Sequence, residues 1–170
     1  MSRKEALNLI KSSSMFIHSI QVGKVMYSIA KHLNEDEKEW ELVGLLHDLD
    51  YDMTVNNREK HGIIATEMLK GQLSEGALTA IKAHDHRTGF KPKNLIDKAL
   101  KAADALVVFI DLVKEEGALL NLKLIKQKLN IGLKSKPWLK PLIYSCEEFG
   151  FTLDDFLRIG LEIVKSNPSS

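Results

Sequence analysis

The sequence predicts an all-α fold. Apolar residues recur at intervals of three and four through most of the chain, and no alternating run of β-branched residues bounded by turn dipeptides interrupts them. Helix-start signals, a capping residue followed by an acidic residue three positions on, punctuate the same pattern. With 170 residues, 44% of them hydrophobic, the chain suits a single domain over 1–170 with a sizeable core.

Ser2 and Glu5 form a capping-box pattern for a short first helix, and Ser12-Ser13-Ser14 breaks and restarts the chain. A second helix runs to about residue 33, with His18, Val22, Val25, Ile29 and Leu33 on its inward stripe. Asn34 with Glu37 is expected to cap a third helix, which carries Trp40, Val43 and Leu46 and ends at the adjacent pair His47-Asp48. The acidic stretch 50–52 leads into a loop holding Asn56-Asn57. Two helices then start near residues 58 and 74, the first stacking His61, Ala65, Met68 and Leu69, the second Ala77, Ile81 and His84.

Pro92 ends an exposed turn, after which a long helix over about 94–116 turns Ile96, Leu100, Ala103, Val107 and Ile110 inward and Asp97, Lys98 and Lys101 outward. Asp104 sits within the apolar run 99–108 of that helix. Three further helices are expected over about 122–129, 138–149 and 153–165, the last opened by Thr152 with Asp155. No internal repeat and no long linker divides the chain.

A formal charge of +1 and a pI near 7.8 give no overall drive toward nucleic acid or an anionic membrane. The lone Cys146 reads as a small core residue. It cannot form an intrachain disulfide, which fits a reducing cytoplasm. No segment matches a signal peptide or a membrane span, so the expected location is cytoplasmic with no membrane partner. Between Gly117 and Cys146 stand Lys123, Lys126, Lys128, Lys134, Lys136 and Lys140 with Trp138 and no acidic residue. Such lysines usually solvate helix surfaces, and without a series of aromatic residues nucleic-acid binding is disfavoured.

The pair His47-Asp48 closes an apolar run, where adjacent ionisable groups are costly to bury unless something uses them. A single histidine on an apolar face is usually a hydrogen-bonded core residue. Here His18, His61 and His84 occupy such faces together, and Asp104 needs a cationic partner that Lys101 could supply only at the surface. A divalent metal is the one partner that satisfies all of these groups at once. His32 lies on the outward side of its helix, and His86 lies in a polar turn.

The order His18, His47-Asp48, His61, His84, Asp104, with the segment Gly44-Leu45-Leu46-His47-Asp48, resembles the HD-domain superfamily of metal-dependent phosphohydrolases. The resemblance implies a helical bundle with its metal-binding core at about 15–115 and C-terminal helices at about 120–166 packed on it. It implies a core metal site at His18, His47, Asp48 and Asp104. His61 and His84 match the additional histidines of dinuclear members, in which the aspartate of the pair bridges both ions. The sequence departs from the family in having Leu49-Asp50-Tyr51-Asp52 where many hydrolases place a phosphate-binding lysine. It also has His86-Arg87-Thr88-Gly89-Phe90-Lys91-Pro92 in place of the Gly-Tyr-Pro of the cyclic-di-GMP-degrading branch, which argues against that substrate.

Imidazole and carboxylate donors without thiolate suit Fe, Mn, Co, Ni, Zn or, more weakly, Mg, and two ions are expected. Such a pair would lower the pKa of a water and polarise a phosphoryl oxygen, so no protein nucleophile is needed. Lys82, Arg87, Lys91 and Lys93 flank the His84 turn, and Arg87 is the best bidentate phosphate contact. The expected function is hydrolysis of a small phosphorylated metabolite or nucleotide, with Asp48 and Arg87 in catalytic roles. An HD-type diiron oxygenase and a metal-binding regulatory module are the alternatives. No Gly-rich phosphate loop, His-Glu-x-x-His pair or Gly-x-Ser-x-Gly elbow is present.

Overall fold

A computed structural model describes residues 1–117 and 119–166. Its α-helices are α1 (Arg3–Ile10), α2 (Phe16–Leu33), α3 (Glu37–Leu46), α4 (Ile63–Met68), α5 (Glu75–Ala83), α6 (Leu95–Glu115), α7 (Leu122–Ile131), α8 (Leu139–Tyr144) and α9 (Leu153–Ser166), and no strand occurs among the described residues. Short 3₁₀ turns at Asp52–Thr54, Arg58–Lys60, His86–Thr88 and Ser145–Phe149 join them. The all-α expectation therefore holds.

α6 is the central helix. Ala99, Leu100, Ala102, Ala103, Leu106, Val107 and Ile110 are all buried, so it is apolar nearly all round, as a helix enclosed by neighbours must be. It touches α2, α3, α5, α7, α8 and α9. Asp104 stands on the segment of this helix left open to a cavity.

α2 and α3 pack with their backbones almost in contact. A Cβ added to Gly44 would lie 2.7 Å from Gly23 Cα, closer than any real side chain tolerates, so both positions exclude side chains. This approach brings the start of α2, with His18, beside the end of α3, with His47. Gly160 of α9 likewise lets Leu106 of α6 approach, since a Cβ there would meet the Leu106 side chain at 2.6 Å.

Several boundaries differ from the sequence reading, each for a local reason. Asn34 does not cap α3 but closes α2, its φ of 56° in the left-handed region that Asn tolerates. Asp36 is the N-cap of α3, its carboxylate accepting from the Lys38 and Glu39 amides. His61 is not on a helix, because Gly62 at φ 81° turns the chain before α4 begins. Met68, placed inward by period, is exposed, while Ala65 and Leu69 are buried.

Asp97, read as outward, is fully buried. Its carboxylate folds back to accept from the Lys93 and Asn94 amides at 2.9 and 3.1 Å in a capping box. The helix expected over 138–149 is α8 followed by a 3₁₀ turn. The capping pairs Ser2 with Glu5 and Thr152 with Asp155 form as read.

Candidate metal centre

Each polar side chain of the site reaches it from a helix end or from the open flank of α6. His18 stands in the first turn of α2, His47 is the residue after α3, and Asp48 follows it. His61 precedes the Gly62 turn, His84 is the residue after α5, and Asp104 projects from α6. Helix ends suit this task because the side chains there escape the packed interface while the helix axis fixes their origin. The six residues line or abut one cavity of about 560 Å³.

Asp48 lies at the centre, and its two oxygens face different neighbours. Oδ2 is 3.4 Å from His47 Nε2 and 3.7 Å from His18 Nε2, while Oδ1 is 3.0 Å from His61 Nε2 and 3.6 Å from His84 Nε2. Asp104 Oδ1 closes the first half, 3.1 Å from His18 Nε2 and 4.0 Å from His47 Nε2. Two groups of donor atoms with metal-like spacing result, His18 with His47 and Asp104, and His47 with Asp48 and His84.

All four imidazoles turn Nε2 inward, and for three of them a partner behind the ring explains why. His47 Nδ1 lies 2.8 Å from the Gly44 carbonyl, His84 Nδ1 lies 2.6 Å from the Ile81 carbonyl, and His61 Nδ1 lies 2.8 Å from Asp50 Oδ1. A ring whose Nδ1 donates to such an acceptor is held with Nε2 toward the site, where it can give its lone pair to a cation once any proton on it leaves. His61 Nε2 and His84 Nε2 then face each other at 3.1 Å, an arrangement that calls for a proton or a cation against them. The buried Nε2 of His47, its Nδ1 already engaged by the Gly44 carbonyl, has no hydrogen-bond partner among the described residues. Such an atom normally costs stability, so the arrangement fits a bound cation that accepts its lone pair.

Burial and charge act on these groups in opposite directions. Burial drives the His47 imidazole down to about 4, so it is neutral and ready to donate its lone pair. Burial also opposes charge on His61, but Asp48 and Asp50 outweigh it and raise this imidazole to about 9. Asp48 is only 5% exposed, yet its carboxyl is held well below the usual range because the surrounding imidazoles overcome the cost of burial. Asp104 is less enclosed than its apolar flanks imply, its side chain being 30% exposed toward the cavity. Lys101 makes no ion pair with it within 4.0 Å among the described residues.

Asp50 is one of two residues that sequence reasoning missed. Read as the start of an acidic loop, it is fully buried beneath the cluster. Its carboxylate accepts from the Gly62 amide at 2.8 Å, from the Ala65 amide at 2.9 Å and from His61 Nδ1. It thereby ties the loop that carries His61 to the segment that carries Asp48. Gly62 is required at this point, because a Cβ there would lie 2.6 Å from the Ile81 carbonyl. The available signal was a third carboxylate two residues beyond the buried pair.

Of the four cations flanking the His84 turn, Arg87 lines the cavity. Asp85, also missed, binds its guanidinium through both carboxylate oxygens, with Nε to Oδ1 at 2.9 Å and Nη2 to Oδ2. Burial opposes ionisation of Asp85, and Arg87 overcomes it, lowering the carboxyl to about 2. His32 instead packs on Phe151, ring centroids 4.3 Å apart, and His86 is exposed at the cavity rim.

No helix among the described residues is long and apolar enough to cross a membrane. No curated protein and no solved structure matches the chain. The HD domain model matches residues 15–108, more than half of the chain and the whole of the His/Asp cluster, and the chain belongs to the HD domain family.

Proposed function

We propose that the chain is a metal-dependent phosphohydrolase acting on a small phosphorylated metabolite or nucleotide. The observation that carries this reading is the set of inward Nε2 atoms disposed around the two oxygens of a single buried carboxylate, Asp48. His18, His47 and Asp104 would hold one ion, His61 and His84 a second, and Asp48 both. Ions held there supply a water of lowered pKa and Lewis-acid polarisation of a phosphoryl oxygen.

The chain's own residues orient and neutralise. Asp50 and the Gly44 and Ile81 carbonyls fix three imidazole rings so that they do not reorganise when loaded. Asp85 holds Arg87 at the cavity, where the guanidinium faces the substrate phosphate. Cys146 takes no part, because its buried thiol is raised to about 11 by burial and Glu147.

The decisive experiment is a panel of phosphate esters assayed with protein loaded in turn with Fe, Mn, Co, Ni, Zn and Mg. Cleavage with at least one metal is expected. Arg87→Ala is expected to raise KM or lower kcat with metal content unchanged, and no effect on either parameter would remove Arg87 from the site. If no ester is cleaved and the iron-loaded protein consumes oxygen with an organic substrate, the oxygenase reading replaces this one.

Metal affinity should rise with pH. A proton on His61 competes with metal for Nε2, and with that imidazole at about 9 the proton is present at neutral pH. Metal binding at pH 7 should therefore expel ~1 proton from His61, an effect that fades as pH climbs past 9. His47, at about 4, contributes none at pH 7. Calorimetry in buffers of different ionisation enthalpy measures the release, and metal uptake without proton release would contradict the assignment of His61.

A further inference from the structure

The cavity has a wall that the His/Asp cluster does not account for. Lys136, Trp138, Leu139 and Leu142 line it. All lie beyond residues 15–108, the part of the chain that the family match covers. Leu139, the first residue of α8, is buried and anchors this segment to the core.

Trp138 and Trp40 are the two tryptophans, and their settings differ. Trp40 is buried in the core at 4% exposure, while Trp138, one residue ahead of α8, is 53% exposed on the cavity wall. A large flat side chain placed at a cavity mouth offers a stacking face with apolar leucines beside it.

The cations divide in the same way. Lys98, Lys126 and Lys128 pair with Glu148, Asp154 and Glu116, and Lys140 donates to the Asn130 carbonyl, so these are occupied within the protein. Lys136, and Lys101 one turn ahead of Asp104 on α6, face the cavity and form no ion pair among the described residues. Both are half-buried, Lys101 within electrostatic reach of Asp85 and Asp104 though paired with neither, and an anionic ligand entering the cavity would meet both ammonium groups.

We propose that segment 136–142 is the specificity wall of the site and selects phosphate esters whose organic part carries a planar ring. Trp138 stacks on the ring, and Lys136 and Lys101 face the anionic oxygens while the ester phosphorus lies toward the cluster. This proposal rests on the phosphohydrolase reading.

The test uses phosphonates, which the site cannot hydrolyse, titrated calorimetrically into the full-length metal-loaded protein. Benzylphosphonate should bind about tenfold more tightly than methylphosphonate and more tightly than the non-planar cyclohexylmethylphosphonate. Trp138→Ala should remove most of that preference while leaving methylphosphonate affinity within about twofold, and Trp138→Phe should retain it. Lys136→Ala should weaken all the phosphonates together. A benzyl-to-methyl ratio unchanged by Trp138→Ala, an equal loss for both ligands, or no preference for the planar ring would overturn the wall. Since no phosphonate is turned over, a ring preference that survives in a protein inactive on every ester would refute the hydrolase and leave the wall in place.

Discussion

Replacing Asp48 by alanine should strip metal from both halves of the cluster and lower ester hydrolysis by about 10³-fold or more. The size follows from what is lost. Removing a shared carboxylate takes away a donor and a charge from each ion, and with them transition-state stabilisation of about 4 kcal/mol, at ~1.4 kcal/mol per decade of rate. Its Oδ2 faces His18 and His47 and its Oδ1 faces His61 and His84, so among the histidines only His47, which stands in both donor groups, should have comparable reach. His61→Ala should spare the ion at the other half. Metal content by mass spectrometry, beside kcat, checks this, and an Asp48→Ala protein that keeps one full equivalent would show that the carboxylate is not shared.

Asp50→Ala should destabilise the fold by about 3–5 kcal/mol, a large fraction of the stability of an ordinary domain. The variant leaves the Gly62 and Ala65 amides and the His61 ring proton without their buried acceptor. It should also weaken metal binding about 10- to 100-fold, because the loop that presents His61 loses its tie to the Asp48 segment. Asp50→Asn, which keeps one acceptor oxygen, should fall between. The carboxyl of Asp50 is held below its ordinary value, burial being outweighed by His61 and the two amides. Its stabilisation is therefore fully present above the unfolded carboxylate value of about 4 and drains as pH falls through the lower folded value. Urea unfolding at neutral and acid pH measures both effects, and an Asp50→Ala protein as stable as wild type at pH 7 would refute the role given to this residue.

The six residues brought together by the fold were legible in the sequence because each is anomalous where it stands. An ionisable pair at the end of an apolar run, histidines on inward stripes and an acid amid alanines and leucines all violate the pattern that surrounds them. Asp50 and Asp85 were not legible, since Asp50 comes two residues after Asp48 and Asp85 directly after His84 in segments whose polarity reads as loop, and their importance lies in partners 11 to 15 residues away or in a turn geometry.

Helix period located the core faces but failed where a short polar side chain bonded the backbone or a residue took the left-handed region. Asn34 took the left-handed position at the end of α2, Asp97 folded back on its own cap, and Gly62 broke the helix that would have carried His61. The cavity wall at Trp138 was visible only as a basic stretch. Which of its lysines pair with Asp154 and Glu116 is set by the packing of α7 beside α9 and α6, a long-range fact that no local pattern encodes.

Asp48 is expected to be shared by two ions, one held with His18, His47 and Asp104 and the other with His61 and His84. Crystals of the protein grown with manganese and measured at the manganese absorption edge test this sharing directly. Two anomalous peaks are expected, one against His18, His47 and Asp104 and one against His61 and His84, with Asp48 touching both. A single peak, or two peaks of which Asp48 touches only one, would contradict it.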